Sequence, residues 1–311
     1  MLHIDDTQID NLLNARDAQE VLAHAFQEFY AGRAAMQTRV RTEAAGVKLS
    51  TLGAVIPGQD VVGAKVYTTI AGQFSFVILL FSARDGRPLA TFDAASLTRL
   101  RTAACSVLVA RALARPQARV LAILGAGTQG QEHARQLSQA FPIERILLHD
   151  PFMAADVPDR LAAQTGVPVL ATSAEAAVAQ ADIVVTASRS TVPLFAGSVL
   201  KPGAFVAAIG SSLPHTRELD DAALRRAAAV VVEWREQSLR EAGDLVLAGA
   251  GALPDAKIVE VAPLLAARAV VRESDDQIFI YKSVGVGLED VALAGRAYAA
   301  IAAQDASLHS A

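Results

Sequence analysis

The chain of 311 residues contains one cysteine, no block of basic residues and no long apolar run. With Cys105 alone no intrachain disulfide can form, as is typical of proteins in a reducing compartment. The net charge of −4 argues against a nucleic-acid partner. The run FVILLF at 76–81 is much shorter than the ~20 residues that cross a bilayer, and the first ten residues do not have the pattern of a signal peptide. We therefore expect a soluble, cytoplasmic protein with neither a nucleic-acid nor a membrane partner.

Signatures of metal sites and of serine hydrolases are also missing. The histidines are scattered and form neither H-x-x-x-H nor H-E-x-x-H, and no serine lies in a G-x-S-x-G elbow. With a single cysteine, a zinc site has too few candidate ligands, so we expect no metal. The histidines are His3, His24, His133, His149, His215 and His309.

The N-terminal third has the pattern of a mixed α/β domain. The segments VGAKVYTTI (62–70) and FSFVILLFS (74–82) are typical of strands, and Asp85–Gly86 predicts a turn before a further strand. This predicts an antiparallel sheet. An alanine-rich helix is predicted from about Ser96 to Ala114, ended by Pro116.

From Arg119 onward the chain alternates between apolar strands and helices. Strands such as RVLAIL (119–124), RILLHD (145–150) and DIVVTAS (182–188) are separated by helical segments. This alternation is typical of a doubly wound parallel sheet. We predict an α/β protein with a Rossmann domain over 116–288. Residues 1–115 form an α/β substrate and dimerisation domain, which residues 289–311 complete.

The segment GAGTQG (125–130) lies between a predicted strand and a predicted helix, as in a dinucleotide-binding turn. Gly125 would allow the tight bend, Gly127 the approach of a pyrophosphate, and Gly130 the close packing of helix on strand. Thr128 and Gln129 would present the N-terminus of the helix to the phosphates. A glycine turn without a dinucleotide is the plainer alternative.

Asp150 ends the next strand, 20 residues after Gly130. A carboxylate at this place accepts hydrogen bonds from ribose hydroxyls and repels a 2′-phosphate, and no arginine or lysine follows it in DPFMAAD. We therefore predict NAD as the cofactor, with NADP possible. The alternative for Asp150 is a cap on the following segment.

The chain resembles the ornithine cyclodeaminase/mu-crystallin family over about residues 17–292. The resemblance rests on segments that include GRAAMQTR (32–39), DGRPLATFDAASLTRLRTAACS (85–106), GAGTQG (125–130), IGSSLPHTREL (209–219), EAGDL (241–245) and YKSVGVGLED (281–290). It implies a homodimer with an inserted Rossmann domain. It also implies reactions that pass through an imine beside a carboxylate.

The resemblance implies that Arg39, Lys65 and Arg101 hold the substrate carboxylate, which suits their chemistry. Arg39 competes with Arg41 for this role, and Lys65 could instead face solvent on a sheet edge. Arg101 is expected near the start of a helix, where a cation is unfavourable unless an anion binds there. Thr102, Ser188 and Ser211 are further candidates for cofactor binding.

The position that carries a catalytic aspartate in cyclodeaminases is Ser212 in the loop GSSLPHTREL, and an unaided serine is no general base at neutral pH. We therefore predict an NAD(P)H-dependent reductase of a cyclic imino acid, with Lys65 and Ser212 as catalytic candidates. Asp244 and Asp290 are expected to be helix or loop caps first. The alternatives are an alanine-type dehydrogenase, an ornithine cyclodeaminase, or a nucleotide-gated ligand-binding protein.

Overall fold

A computed structural model describes the backbone of residues 1–308 and side chains through Gln304, so His309 lies outside the described residues. The elements up to residue 113 are β1 (Leu2–Ile4), α1 (Asp6–Leu12), α2 (Ala15–Tyr30), β2 (Ala35–Met36), β3 (Val40–Ala44), β4 (Val47–Ile56), β5 (Val61–Ile70), β6 (Gln73–Ser82), β7 (Pro88–Asp93) and α3 (Ala95–Leu113).

The following elements alternate between strand and helix over most of their length. They are β8 (Val120–Leu124), α4 (Thr128–Ala140), β9 (Arg145–His149), α5 (Val157–Thr165), β10 (Val169–Ala171), α6 (Ala174–Gln180), β11 (Ile183–Thr186), β12 (Phe205–Ala208), α7 (Asp221–Arg226), β13 (Ala227–Val232), α8 (Arg235–Glu241), α9 (Gly243–Val246), β14 (Ile258–Glu260), α10 (Val261–Ala267), β15 (Ile278–Lys282) and α11 (Gly287–Leu308).

The chain forms two compact units, Met1–Ala104 with Val286–Ala311 and Cys105–Gly285. The sequence placed these boundaries at 115/116 and 288/289. The first boundary instead falls inside α3, because the second half of this helix has its partners in the second unit. The hydroxyl of Tyr281 donates to the Cys105 thiol (3.1 Å), and Ser106 Oγ bonds His133 Nε2 (2.9 Å).

The first unit is built on a seven-stranded sheet in the order β1-β7-β6-β5-β4-β2, with β3 also paired to β4. Only β1 and β7 pair in parallel, so the predicted antiparallel pairing of the strands within 62–92 is confirmed. The β5–β6 hairpin closes through Ala71–Gly72, both with positive φ, as a two-residue turn requires. Its register sets Lys65 opposite Ile78 and Tyr67 opposite Phe76.

The two faces of this sheet differ in their side chains. The inner face, which carries Leu52, Lys65 and Ile78, is buried. Helix α11 packs against this sheet, and a Cβ on its Gly287 would come within 2.4 Å of the Gly53 carbonyl oxygen. The outer face is partly exposed along β4, β5 and β6. Its central side chains, paired across these strands, are Thr51, Val55, Val62, Ala64, Val66, Val77, Leu79 and Phe81.

The second unit contains an eight-stranded, fully parallel sheet in the order β10-β9-β8-β11-β12-β15-β13-β14. The chain leaves β8 toward β9 and β10 and then returns to β11 on the other side of β8. This reversal is the topological switch point at which doubly wound sheets bind ligands beyond the carboxyl ends of their strands. The predicted fold class, a Rossmann-like parallel sheet with an additional α/β unit, is confirmed.

Helix α2 is capped by Asn14, whose side chain accepts from the N–H groups of Arg16 and Asp17. Strand β15 lies inside the parallel sheet, between β12 and β13. In the described part of the chain no helix has the length and apolar character needed to cross a membrane.

Candidate active site and cofactor site

The glycine turn after β8 requires glycine for steric reasons. Gly125 has φ +112°, and a Cβ there would lie 2.5 Å from the Ala187 carbonyl oxygen. A Cβ on Gly130 would lie 1.9 Å from the Gly125 carbonyl oxygen, so no other residue allows α4 to start this close to β8. These contacts match the bending and packing roles that the sequence predicted for the two glycines.

Gly127 is the N-cap of α4, and no atom lies within 4 Å of the position that a Cβ would take. Gly127 and Thr128 are exposed, and Gln129 follows them in the first turn of the helix. The first N–H groups of a helix and its dipole favour an anion at this end. The open approach to Gly127 therefore fits the pyrophosphate of a dinucleotide.

Asp150, directly after β9, holds the glycine turn. Its Oδ2 accepts from the Ala126 N–H and its Oδ1 accepts from the Phe152 N–H, both at 2.8 Å. Each carboxylate oxygen has a second lone pair, so Asp150 can still accept bonds from ribose hydroxyls. The alternative of Asp150 as a local cap is therefore partly realised, because one oxygen caps the segment that follows.

Ser188 and Ser211 lie in loops at the carboxyl ends of β11 and β12, and their side chains are engaged within the protein. Ser188 donates through both its N–H (2.7 Å) and its hydroxyl (2.8 Å) to Glu218 Oε1. Ser211 is fully buried, and its hydroxyl donates to the Thr216 carbonyl oxygen (2.6 Å). Their predicted contact with a cofactor stays a prediction, and these bonds show how the loops that carry them are held.

Glu218 joins these two loops. Besides Ser188, it accepts from the N–H groups of Gly210 (2.8 Å) and Ser211 (3.2 Å) and from the Thr186 hydroxyl (2.9 Å). Burial raises the pKa of Glu218 and the charge of Asp244 adds to the rise, while Lys282 opposes it. Sequence reasoning missed this residue, although it lies in the quoted TREL segment.

Asp244 and Lys282 complete the buried cluster around Glu218. Asp244 Oδ1 accepts from the Glu218 N–H (2.6 Å), and Asp244 Oδ2 lies 3.1 Å from Lys282 Nζ. Lys282 donates to the Ala208 carbonyl oxygen (2.9 Å) at the end of β12. The expectation that Asp244 acts mainly as a structural acceptor agrees with these contacts.

A second buried cluster lies wholly within the first unit and contains the predicted carboxylate-binding cations. Lys65 Nζ lies 3.2 Å from Asp290 Oδ1 and donates to Thr98 Oγ1 (2.5 Å). Arg101 Nη1 donates to Glu289 Oε2 (2.6 Å), and Arg101 Nε lies 3.3 Å from Asp290 Oδ1. The structure therefore brings Lys65 and Arg101 together on one pair of carboxylates from the first turn of α11.

Arg39 acts on the same cluster through its charge. Burial, with smaller contributions from the charges of Arg101 and Arg39, lowers the pKa of Lys65 to about 8, although Asp290 opposes this shift. For Asp290, burial would raise the pKa, but Arg101, Lys65 and Arg39 outweigh it and hold the pKa below its usual value. Arg39, Lys65 and Arg101 thus share one electrostatic site.

One alternative reading of this cluster is not realised, and two expectations were wrong. Lys65 does not face solvent on an edge, since it is 3% exposed on a central strand. Arg101 is the seventh residue of α3 rather than at its start, so Glu289 and Asp290 explain its burial and the helix dipole does not. Asp290 is not mainly a cap, because its Oδ1 faces Lys65 and Arg101.

The remaining candidates lie at the edges of these clusters. Thr102 bonds the Thr98 carbonyl oxygen within α3 (2.7 Å), so its hydroxyl has a helical partner. Ser212 is partly exposed in the loop after β12, and His215 in the same loop is exposed. His149 bonds the Thr172 carbonyl oxygen (3.0 Å). Among the described residues, no group of histidines, cysteines and acids is arranged to hold a metal.

A parallel sheet with a glycine turn and a strand-end acid is typical of a dinucleotide-binding protein, and the same chain also buries a cationic cluster. Comparison with known proteins makes this assignment more specific. The model of the ornithine cyclodeaminase/mu-crystallin family matches residues 1–305. The chain belongs to this family.

Three relatives illustrate the range of its activities. The chain is 30% identical to a Δ1-pyrroline-2-carboxylate reductase from Bacillus cereus over 96% of both proteins. A probable ornithine cyclodeaminase from Bordetella pertussis is 67% identical, with a TM-score of 0.96 over 98% of both chains. The Thermococcus litoralis Δ1-pyrroline-2-carboxylate reductase, solved with NADH and L-proline, is 25% identical, with a TM-score of 0.93 over 98% of both chains.

These matches confirm the predicted family and the predicted class of enzyme, an NAD-dependent oxidoreductase acting on C–N or C=N bonds. The predicted NAD cofactor agrees with the NADH in the T. litoralis structure. The relatives differ in their named reactions, because two are Δ1-pyrroline-2-carboxylate reductases and one is a probable ornithine cyclodeaminase.

Proposed function

We propose that the protein reduces a cyclic imino acid, Δ1-pyrroline-2-carboxylate or Δ1-piperideine-2-carboxylate, to L-proline or L-pipecolate with NADH. The observation that carries the proposal is the charge of the buried cluster in the first unit. Its three cations, Arg39, Lys65 and Arg101, exceed its two carboxylates, Glu289 and Asp290, by one. The substrate carboxylate would balance this excess, which is otherwise costly in a buried place, and the separate positive charge of its protonated imine disappears when the hydride is accepted.

Arg101 and Lys65 would hold the carboxylate by different chemistry. Arginine offers a planar pair of N–H donors, and the ammonium of lysine adds a compact charge. Glu289 and Asp290 fix both cations before the substrate arrives, so little reorganisation is needed on binding. The protein's main contribution to the reaction is then the orientation of the carbon next to the carboxylate.

The NADH would be held by the glycine turn of Gly125, Gly127 and Gly130, by the first turn of α4 and by Asp150. When bound, its dihydronicotinamide supplies the hydride that the imine carbon accepts. The imine binds in its protonated form, so its nitrogen becomes an amine without a separate strong acid. Asp290 Oδ2 is buried without a hydrogen-bond partner among the described residues, and it can accept from the protonated nitrogen. Ser212 stays a second candidate for this contact.

Cyclodeamination needs a base for the distal amine of ornithine, and serine at position 212 does not supply one. The name of the B. pertussis relative points to this other reaction. A direct assay separates the two. Purified protein is followed at the NADH absorbance with Δ1-pyrroline-2-carboxylate, Δ1-piperideine-2-carboxylate, and pyruvate with methylamine, and in parallel with ornithine and NAD⁺.

Oxidation of NADH with the cyclic imines and none with ornithine is the expected result. Consumption only with pyruvate and an amine would mean an alanine-type enzyme. Proline and ammonia formed from ornithine would overturn the argument from Ser212. Tight cofactor binding without turnover of any substrate would indicate a ligand-binding protein.

We also infer that the outer face of the first sheet binds a second copy of the chain. Val62 and Phe81, Ala64 and Leu79, and Val66 and Val77 form cross-strand pairs on this face. Strands β4–β6 present no charged side chain there, and a partly exposed apolar face of this kind is typical of a protein interface. A homodimer would cover it.

Light scattering after size exclusion tests this assembly. Val66→Lys, at the centre of the outer face, is expected to give monomers because a charge would be buried against the partner. Phe152→Lys places the same charge on a 94% exposed side chain of the second unit and is expected to leave the dimer intact. A monomeric wild-type protein would contradict the inference. We also propose a cytoplasmic location, consistent with the fully buried free thiol of Cys105.

A further inference from the structure

The inner face of the first sheet continues past Lys65 toward the tip of the β5–β6 hairpin. Residues that lie opposite each other on neighbouring strands share a face. Lys65 pairs with Leu52 and Ile78, and the next row of the same face contains Ser50, Tyr67 and Phe76. The row beyond it contains Lys48, Thr69 and Phe74. An aromatic surface therefore begins one row away from the carboxylate-binding lysine.

The three aromatic rings form one cluster in contact with Lys65. Phe74 and Phe76 are stacked, with centroids 5.6 Å apart and an interplanar angle of 5°. Tyr67 lies 5.2 Å from Phe76 and 6.1 Å from Phe74. The Lys65 ammonium lies 4.4 Å from the centroid of the Phe76 ring, within cation–π range. We call Tyr67, Phe74 and Phe76 the aromatic wall.

The aromatic wall is only partly covered by the rest of the chain. Helix α11 covers the sheet on the other side of Lys65, where a Cβ on Gly63 would lie 3.3 Å from Val291 and a Cβ on Gly295 would lie 3.1 Å from Val61. Tyr67 is 9% exposed, whereas Phe74 is 48% exposed. Phe74 is therefore half-exposed on the face that carries the buried cationic cluster.

This part of the face offers no carboxylate on strands β3–β6 that could pair with a distal ammonium group of a substrate. Glu43 is the only acid in strands β3–β6, and its carboxylate lies 3.2 Å from Lys48. Glu289 and Asp290 already face Arg101 and Lys65. No carboxylate on β3–β6 near the aromatic wall is left to balance a second amine.

We propose that the aromatic wall binds the hydrocarbon part of the substrate and makes the enzyme selective for ring-shaped or bulky apolar imino acids over small or amine-bearing ones. The proposal rests on the proposed function, because it assumes that the carboxylate binds at Lys65. A carboxylate on the ammonium would place the neighbouring carbon atoms beside Phe76, which lies against that ammonium, and a ring would extend from there toward Phe74. Burial of apolar area against these rings then adds to the affinity.

The test compares two inert carboxylates, pyrrole-2-carboxylate with a ring and acetate without one. Their dissociation constants are measured by calorimetry on the NAD⁺-saturated protein. Phe74→Leu removes the exposed ring and keeps an apolar side chain on the strand. This variant is expected to raise the dissociation constant of pyrrole-2-carboxylate roughly tenfold and to leave the dissociation constant of acetate unchanged.

Tyr30→Leu is the matched control, because it removes a 53% exposed aromatic ring elsewhere in the first unit. Its two dissociation constants should equal those of the wild type. Phe74→Tyr keeps an aromatic ring at this position, so it should bind pyrrole-2-carboxylate as the wild type does. This variant tests the role of the ring even if Phe74→Leu folds poorly. For the cyclic imine, Phe74→Leu should raise KM more than it lowers kcat.

The outcomes separate this proposal from the proposed function. Suppose that the wild type turns over cyclic imines. If Phe74→Leu then weakens the binding of acetate and of pyrrole-2-carboxylate equally, or weakens the binding of neither, the aromatic wall does not determine specificity. If no imine is reduced while Phe74→Leu still weakens only the ring-bearing ligand, the proposed reaction is wrong and the aromatic wall stands.

Discussion

Each unit of the protein buries one lysine against one aspartate, and the two pairs have nearly the same geometry. Lys65 lies 3.2 Å from Asp290 in the first unit, and Lys282 lies 3.1 Å from Asp244 in the second. Both lysines are almost fully buried, at 3% and 0% exposure. Geometry alone therefore does not reveal which lysine meets a substrate.

The surroundings of the two lysines differ in net charge. Lys65 shares its cluster with Arg39 and Arg101 against two carboxylates, which leaves one positive charge. Lys282 faces Asp244 and Glu218; main-chain N–H groups stabilise Glu218, and burial raises the pKa of its carboxyl group. A cluster with excess positive charge needs an anion, whereas the other is complete without a ligand. The count of charges, more than the presence of a buried lysine, identifies the site.

The largest expected effect comes from removing the two lysines separately. Lys65→Met should lower kcat/KM for the cyclic imine about a thousandfold and leave the dissociation constant of NADH unchanged. Lys282→Met leaves Asp244 buried without its cation and should lower the free energy of unfolding by roughly 3–5 kcal/mol, with little change in KM of the folded enzyme. Steady-state kinetics and urea unfolding measure the two effects. Equal loss of activity in both variants would remove the distinction.

A smaller effect is expected at Glu218, whose two oxygens both accept from N–H groups. In Glu218→Gln the new amide NH₂ must face one of these donors, at Ser188 or at Gly210 and Ser211. The two loops should shift, and the dissociation constant of NADH should rise roughly tenfold. KM for the imine at saturating NADH should change less.

Glu233→Gln is the control for that variant. Glu233 is also fully buried and accepts from the N–H groups of Val284 and Gly285 and from the Ser283 hydroxyl, beyond the end of β15. It should lower stability to a similar extent and leave NADH binding as in the wild type. If both variants weaken NADH equally, Glu218 has no special part in placing the cofactor loops.

A graded effect on substrate affinity concerns pH. Burial lowers the pKa of Lys65 to about 8, below its usual value, so the ammonium is lost as the pH rises through about 8. Because a carboxylate binds the charged form, affinity for pyrrole-2-carboxylate should be full below pH 8 and fall up to tenfold per pH unit above it. Titration calorimetry between pH 6.5 and about pH 9.5 measures this. Lys65→Arg stays charged and should not show the break.

The sequence predicted the cofactor site better than the substrate site, for a physical reason. Gly125, Gly130 and Asp150 are close along the chain, and their roles follow from strand, turn and helix in succession. Glu218 was missed because its partners are 7 to 32 residues away in sequence and meet it only through the sheet. The cations of the first unit were found through the family resemblance. The carboxylates that hold them, 188 and 225 residues distant, required the fold.

The most direct test of the cationic cluster is a thermodynamic cycle that combines two changes, Arg101→Met in the protein and removal of the carboxylate from the substrate. kcat/KM is measured for wild type and Arg101→Met with Δ1-pyrroline-2-carboxylate and with Δ1-pyrroline, which lacks the carboxylate. We predict that Arg101→Met lowers kcat/KM by about two to three orders of magnitude with the first substrate and by less than about threefold with the second. An equal loss with both substrates would contradict the account, because Arg101 would then act on something other than the carboxylate.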